Sequence, residues 1–270
     1  MTVKTSAFRD LHEAPGAFII PNPWDTGSAR ILAAMGFKAL ATTSAGMAFS
    51  LGMQEGKVPK AEALAHCLMI AQATPLPVSG DLEKGFGDRP EEAAQSIRDA
   101  AAAGLSGGSI EDHTGRPDQP IFDFTLAVER IHAAAEAARA LPQDFVLTAR
   151  AENFLWDWPD LDDTIKRLQA FERAGADVLF APGLRDLDTI RAVCSSLSKP
   201  VNVIMGLPGT TFAITDLAGA GAKRISVGSS LARLAYGSLI GAAREMREEG
   251  TFRFSERAIG FGGLDSLFAD

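Results

Sequence analysis

Two carboxylates, Asp81 and Glu83, stand one residue apart at the end of a short apolar run, residues 76–79. Alternate residues of an extended segment point the same way, so we expect both side chains on one side. Their repulsion would raise a pKa unless a cation lay near them. A hard divalent ion that prefers oxygen ligands, Mg2+ or Mn2+, suits such a pair. A solvated acidic turn beside Lys84 is the alternative interpretation.

Two further apolar runs end in charged residues, Glu111 and Arg150. Asp81, Glu83 and Glu111 together would make a three-carboxylate cradle for one ion. The planar guanidinium of Arg150 suits a carboxylate or phosphoryl group of a substrate. Arg150 as an internal counter-ion to Glu111, and the acids as its ion-pair partners, are the alternatives.

Other polar residues stand at or just after predicted strand ends. Thr43 and Ser44 stand at the end of a predicted strand, and Ser44, Ala45 and Gly46 form a small-residue turn whose successive backbone N–H groups could receive an anion. Asn202 ends a later strand, and we expect it to bind substrate. His113 could donate or accept a proton, although an exposed loop histidine is the alternative.

Composition limits the partners of this chain. Its 270 residues, 46% hydrophobic and 22% charged, fit one barrel domain over residues 1–270, with a short leading helix and a C-terminal extension. A net charge of -8 argues against a nucleic-acid partner. No apolar stretch approaches the ~20 residues that span a bilayer, and the first residues lack a signal-peptide core. We therefore expect a cytoplasmic protein that acts on a small molecule.

The order of predicted elements indicates the fold class. Eight strand-then-helix units follow one another, with apolar runs in the strands, which is typical of parallel strands covered by helices. Asp25 and Pro90 mark helix starts and Gly175 a helix end. A closed α/β (β/α)8 TIM barrel accounts for this order, and there the loops after the strands share one mouth. An open doubly wound sheet is the alternative, but no G-x-G-x-x-G follows the first strand.

Five motifs occur in a characteristic order and spacing along residues 8–247. They are Asn22-Pro-Trp-Asp25, Thr43-Ser-Ala-Gly46 with Ser50-Leu-Gly52, Asp81-Leu-Glu83-Lys-Gly85-Phe-Gly87, Ile110-Glu-Asp112 and Ala149-Arg-Ala-Glu152. As a set they resemble the isocitrate lyase and phosphoenolpyruvate mutase superfamily.

The resemblance implies a barrel whose last helix is exchanged between subunits of a homo-oligomer, a homotetramer built as a dimer of dimers. It implies that Asp81 binds Mg2+ and that Glu83 and Glu111 hold its waters. Arg150 would grip the substrate, and residues 43–45 would receive its carboxylate or phosphoryl oxygens. The chemistry implied is C–C or P–C bond formation or cleavage beside an α-oxocarboxylate, through an enolate.

Departures from the family pattern reduce the number of family activities that we expect of this chain. Isocitrate and methylisocitrate lyases carry Lys-Lys-Cys-Gly-His after the Glu-Asp pair, whereas residues 113–119 here contain no cysteine. The longer phosphoryl-binding loop of the mutases is absent too. Glu55 stands where the mutases have an aspartate, so it joins Arg150 and His113 as a candidate catalytic residue.

We therefore expect a Mg2+-dependent carbon–carbon lyase or decarboxylase acting on a small 2-oxo or 2-hydroxy carboxylic acid. The alternatives are P–C bond chemistry, as in phosphoenolpyruvate mutase or phosphonopyruvate hydrolase, and a non-catalytic barrel that binds an oxo acid.

Overall fold

A computed structural model of the chain describes residues 2–156 and 158–269. The strands are β1 (Phe18–Ile20), β2 (Leu40–Ala41), β3 (Val78–Asp81), β4 (Gly107–Glu111), β5 (Val146–Arg150), β6 (Val178–Phe180), β7 (Val201–Ile204) and β8 (Arg224–Ser226). The helices are α1 (Thr2–Glu13), α2 (Thr26–Ala34), α3 (Ser44–Ser50), α4 (Lys60–Gln72), α5 (Pro90–Ala102), α6 (Phe124–Arg139), α7 (Leu161–Ala174), α8 (Leu187–Ser195), α9 (Ile214–Gly219), α10 (Ser230–Arg244) and α11 (Phe261–Ser266).

The strands form one parallel sheet in the order β1-β8-β7-β6-β5-β4-β3-β2. The two edge strands meet, because the amide of Ala41 donates to the carbonyl of Pro21 over 3.1 Å. The Asn22 side-chain amide adds a second bridge, to the Thr42 carbonyl at 3.0 Å. The fold is therefore the predicted (β/α)8 barrel, and the carboxyl ends of all eight strands meet at one mouth.

Local sequence signals set several helix ends as predicted. Asp25 accepts a hydrogen bond from the Ser28 amide at 2.7 Å and caps α2. Pro90 occupies the first turn of α5, where its missing N–H leaves no carbonyl unpaired. Gly175 ends α7 with φ 111°, in the left-handed region that glycine adopts without strain. These caps confirm the strand-then-helix order.

One segment differs from the sequence interpretation. Residues 43–46 do not form a free turn, because α3 begins at Ser44 and Thr43 is its N-cap. The Thr43 hydroxyl accepts from the Gly46 amide at 3.2 Å. Strand β2 is only two residues long, so the helix starts at the rim of the barrel. The backbone N–H groups that we expected to receive an anion are therefore those of the first turn of a helix.

Helix α10, which follows β8, does not cover the barrel of its own chain. Ala232 is its only buried residue, and Leu234 is 68% exposed. Leu239 and Ile240 are exposed as well. A helix that follows a barrel strand normally buries its apolar side on the sheet, so α10 presents an apolar side that this chain leaves open. No helix among residues 2–156 and 158–269 is long and apolar enough to cross a membrane.

Arg130 of α6 holds the turn that follows β3. It is 1% exposed, and its guanidinium donates to the carbonyls of Gly87, at 2.8 Å, and Lys84. The same group lies over the Phe122 ring, 4.4 Å from its centroid. Burial lowers the pKa of Arg130 to about 10. Because these carbonyls belong to the segment after Asp81, a helix on the outside of the barrel positions the acidic turn at its mouth.

We expect Arg130→Ala to lower the free energy of unfolding by about 2–4 kcal/mol, since two buried carbonyls would lose their donor and a cavity would form. Urea denaturation followed by circular dichroism measures the change. Glu129→Ala, at an exposed position of the same helix, is the matched control and should change stability far less. An equal loss in both variants would contradict the clamp.

Candidate active site

The mouth of the barrel contains a cavity of about 800 Å3. Every site residue predicted from the sequence lines it. These residues are Thr43, Ser44, Ala45, Glu55, Asp81, Glu83, Glu111, His113, Arg150 and Asn202. They come from strands β3, β4, β5 and β7 and from the segments that follow β2, β3 and β4, and closure of the sheet brings them together.

Arg150, the last residue of β5, lies among three carboxylates. Its guanidinium nitrogens are 2.9 Å from Asp81, 3.0 Å from Glu111 and 2.8 Å from Glu152. Burial alone would lower the pKa of Arg150, but these charges outweigh it and raise the pKa well above its usual value. Arg150 is thus the counter-ion to Glu111 that the sequence analysis gave as an alternative, and Glu152 adds a third ion pair.

Asp81 ends β3 and is fixed from two sides. Its Oδ2 accepts from the Ser44 amide at 2.9 Å, while its Oδ1 accepts from Arg150. Its own amide donates to the Thr42 hydroxyl at 2.8 Å. The first N–H of α3, expected to receive a substrate anion, holds this carboxylate instead. Asp81 is therefore oriented before anything binds.

Glu83 reaches the cavity for a reason other than strand alternation. Strand β3 stops at Asp81, and Glu83 has φ 50°, a left-handed conformation that non-glycine residues rarely adopt. Its carbonyl accepts from the Glu111 amide at 3.1 Å, which ties the turn to β4. A strained backbone at this position puts the carboxylate beside Asp81, where strand geometry alone would not.

The Glu83 carboxylate has no hydrogen-bond or ion-pair partner within the described part of the chain. Burial, together with the charges of Asp81, Glu111 and Glu55, raises its pKa to about 7. Burial, followed by the charge of Asp81, also raises the pKa of Glu55. The Ser44 hydroxyl donates to Glu55 at 3.2 Å. One arginine therefore does not balance the acids around the cavity.

His113 forms part of the cavity wall and is not an exposed loop histidine. Its ring stacks on Trp156 with centroids 3.7 Å apart and planes 7° from parallel. Its Nδ1 lies 3.7 Å from Glu111 Oε1. The imidazole therefore lies beside the acid cluster on one side, while an indole fixes its plane on the other.

A buried network behind the rim was not predicted. Asp112 accepts from the Glu152 amide at 2.8 Å and from Arg167 of α7 at 3.1 Å. Burial raises the pKa of Asp112 to about 6, with Arg167 opposing the shift. Next to Glu152, Asn153 donates to Asp163 of α7 at 2.9 Å. Arg167 lies inside an amphipathic helix, where the sequence carries no signal that it turns inward.

Asn202 lies deeper than the rim position expected for it. It is 2% exposed in β7, donates to the Ser226 hydroxyl at 3.0 Å and accepts from Arg224 at 2.8 Å. Arg224 lines the same cavity and was missed, because it begins β8 and no motif contains it. The cavity therefore has a polar floor as well as an acidic rim.

The acids fit a divalent cation by chemistry and charge. Asp81, Glu83 and Glu111 offer hard oxygen donors, and the unpaired Glu83 marks an excess of negative charge. No group of three or more His, Cys, Asp or Glu side chains in the described residues already stands in metal-binding geometry. Arg150 explains this, because it takes one oxygen each from Asp81 and Glu111. Arg150 neutralises only part of the negative charge of these acids, and a bound cation would neutralise the remainder.

Comparison with known proteins places the chain among relatives of similar fold. The sequence profile of the phosphoenolpyruvate phosphomutase family matches residues 8–247. The crystal structure of a provisionally assigned lyase or mutase from Burkholderia cenocepacia J2315 is 54% identical, covers 100% of this chain and 96% of its own, and superposes with a TM-score of 0.97.

Two relatives with named activities are more distant. The 2-methylisocitrate lyase of Shewanella oneidensis is 31% identical over 70% of this chain and 67% of its own. The oxaloacetate decarboxylase of Pseudomonas fluorescens is 26% identical over 73% and 68%. Together with the matched profile and the barrel, these similarities show that the chain belongs to the isocitrate lyase and phosphoenolpyruvate mutase superfamily, whose members include lyases and mutases.

Proposed function

We propose that the protein is a Mg2+-dependent lyase or decarboxylase that breaks a carbon–carbon bond in a small 2-oxo or 2-hydroxy carboxylic acid. The observation that carries the proposal is the acid cluster beside Arg150 in a single cavity. A 2-methylisocitrate lyase and an oxaloacetate decarboxylase among the relatives support this reaction class.

Asp81, Glu83 and Glu111 would hold Mg2+, or Mn2+ in its place, because they supply oxygen ligands and surplus negative charge. When bound, the ion supplies Lewis-acid stabilisation of an enolate as CO2 or a carbonyl fragment leaves. The neighbouring α3 amide keeps Asp81 oriented during this chemistry, since its hydrogen bond does not involve the arginine.

Arg150 binds the substrate carboxylate in this mechanism. Its guanidinium now pairs with three acids, so a substrate carboxylate can replace one of them without leaving the charge unpaired. Glu152 is buried and tied to Asp112, which keeps the arginine in place. Thr43, Ser44 and Ala45, with Asn202 below them, complete the polar wall around the substrate.

Two groups can move the proton that an enolate requires. His113 is held by Trp156 beside Glu111, and Glu55 has a raised pKa because it is buried near Asp81. Either side chain can deliver a proton to a carbanion from the wall of the cavity. This arrangement suits a chain whose loop at 113–119 has no cysteine acid.

The exposed apolar side of α10 supports a homo-oligomer in which this helix packs on a neighbouring subunit. Leu234, Leu239 and Ile240 would then be buried in the assembly. A dimer of dimers is the arrangement we propose, in keeping with the expectation from the superfamily.

P–C bond chemistry is a second candidate, which the match to the phosphoenolpyruvate phosphomutase profile favours. Phosphorus NMR of phosphonopyruvate incubated with protein and Mg2+ separates the two. We expect the phosphonate resonance to persist, because the cavity lacks the longer phosphoryl-binding loop of the mutases. A new resonance of an enol phosphate or of inorganic phosphate would support the second candidate. Tight binding of an oxo acid without turnover would indicate a non-catalytic barrel.

We expect Asp81→Asn to abolish detectable Mg2+ binding. For any oxo acid of a substrate panel that the native protein cleaves, the variant should lower kcat/KM at least about a hundredfold. The amide keeps the size of the side chain but removes the charge. Equilibrium dialysis with Mn2+ and a coupled pyruvate or CO2 assay measure both effects. Asp118→Asn, at an exposed position of the loop beside the mouth, is the control. Full activity and metal binding in Asp81→Asn would refute the proposal.

Adding Mg2+ to metal-free protein near pH 6 should release about one proton per ion, because carboxylate ligands bind in the charged form. Glu83, with its pKa raised to about 7, is largely protonated there. The raised pKa also means that metal-free protein loses stability as pH rises from 4.5, the usual value, towards 7. A pH-stat titration measures the release, which should shrink above pH 8 and in Glu83→Gln. An unchanged release in that variant would exclude Glu83.

A further inference from the structure

Arg224 places a positive charge inside the barrel, beneath the rim. The residue is 5% exposed. Its Nε donates to Asn202 Oδ1 at 2.8 Å and its Nη2 donates to the Thr148 hydroxyl at 2.9 Å. Its Nη1 lies 3.4 Å from Nε2 of His12, in the leading helix that underlies the barrel. The guanidinium is thus held from three directions by side chains of α1, β5 and β7.

None of these three partners carries a negative charge. Nδ1 of His12 lies 2.8 Å from the Phe8 carbonyl and must donate to it, so Nε2 is the acceptor for Arg224. Burial lowers the pKa of His12 to about 3, which keeps this ring neutral. No carboxylate of the described residues lies within ion-pair distance of Arg224. Burial lowers the pKa of Arg224 to about 9, and a buried charge without a counter-ion is costly.

The cavity that opens at the mouth extends down to this guanidinium. Barrel interiors are usually filled by bulky branched side chains, but Ser79, Ser109 and Ser226 line this one. The hydroxyls of Ser79 and Ser109 make no hydrogen bond to any described residue. A space with free hydroxyl donors and an uncompensated arginine has the chemistry of an anion site.

We propose that Arg224 is the centre of a second anion-binding site on the floor of the cavity, which takes one small monoanionic group. The group is the distal carboxylate of a dicarboxylic substrate or, of the same charge, a free halide. Thr148, which Arg224 contacts, lies two residues before Arg150 on β5, a spacing of about 6.6 Å. In this proposal a four-carbon dicarboxylate spans this rise and meets both arginines at once. Its assignment as substrate rests on the proposed function, whereas anion binding does not.

Binding to metal-free native protein in EDTA, at constant ionic strength set with gluconate, tests the site. The probes are chloride, succinate and butyrate, of which the last two share chain length but differ by one carboxylate. Isothermal titration calorimetry gives the affinity of succinate and butyrate, and the thermal unfolding midpoint reports saturable stabilisation by each probe. We expect a saturable rise with chloride or with succinate.

Two variants locate the response. Arg224→Gln should lose the chloride-dependent rise or weaken succinate binding about tenfold or more, because a charged hydrogen bond is lost. Asn202→Asp keeps the arginine but gives it an internal carboxylate 2.8 Å from Nε, so it should fold well and lose the response too. Arg98→Gln, on the exposed side of α5, should behave like native protein.

The outcomes separate the two sources of the anion. Saturation by chloride identifies a free ion, and tighter binding of succinate than butyrate, lost in both variants, identifies a substrate carboxylate. Absence of a saturable response to every probe, or an equal response in native protein and both variants, would overturn the site. Because no metal and no turnover are involved, failure of the lyase proposal would leave these measurements unchanged.

Discussion

The ion pairs of Arg150 are the interaction on which the rest of the mouth depends. One guanidinium joins the ends of β3 and β4 to β5 and to the segment after it. Glu111 and Arg150 are register partners on adjacent strands, so this contact follows directly from sheet pairing. The pair with Asp81 spans two strands and requires the curvature of the closed barrel. Without the arginine, these buried carboxylates would repel one another at close range.

The arginine compensates only part of the charge. The pKa values of Glu83 and Glu55 are raised because both side chains are buried and lie near other acids, while Arg150 pairs with Asp81 and Glu111. The residual negative charge at the rim would attract the cation that we propose, while Arg224 on the floor carries the opposite charge. A small dicarboxylic acid with a cation at one end would find complementary charges along the whole cavity. The proposed reaction and the proposed second anion site thus share one electrostatic origin.

Two helices that surround the strands hold the site residues in position. Arg130 of α6 fixes the turn that carries Glu83, and Arg167 of α7 fixes Asp112 behind Arg150. Both arginines are buried among polar groups that the strands and their loops provide. The helices therefore do more than cover the sheet, since they set the backbone conformation from which the acids project. Helix α10 is the exception, because its apolar side lies away from the barrel of its own chain.

Sequence alone determined the barrel, because apolar runs, helix caps at Asp25 and Pro90 and the alternation of elements are local signals. It also predicted that Asp81, Glu111 and Arg150 meet at the mouth, since the parallel strands of a barrel bring their carboxyl ends to one side. Tertiary structure decided what depends on contacts far apart in the chain. The left-handed backbone of Glu83 reflects the tie to β4, and the helical start at Ser44 follows a strand of two residues. Arg224 lacks a carboxylate partner because the three distant elements that close around it contribute only neutral side chains. No local sequence pattern indicates which partners a buried charge will lack.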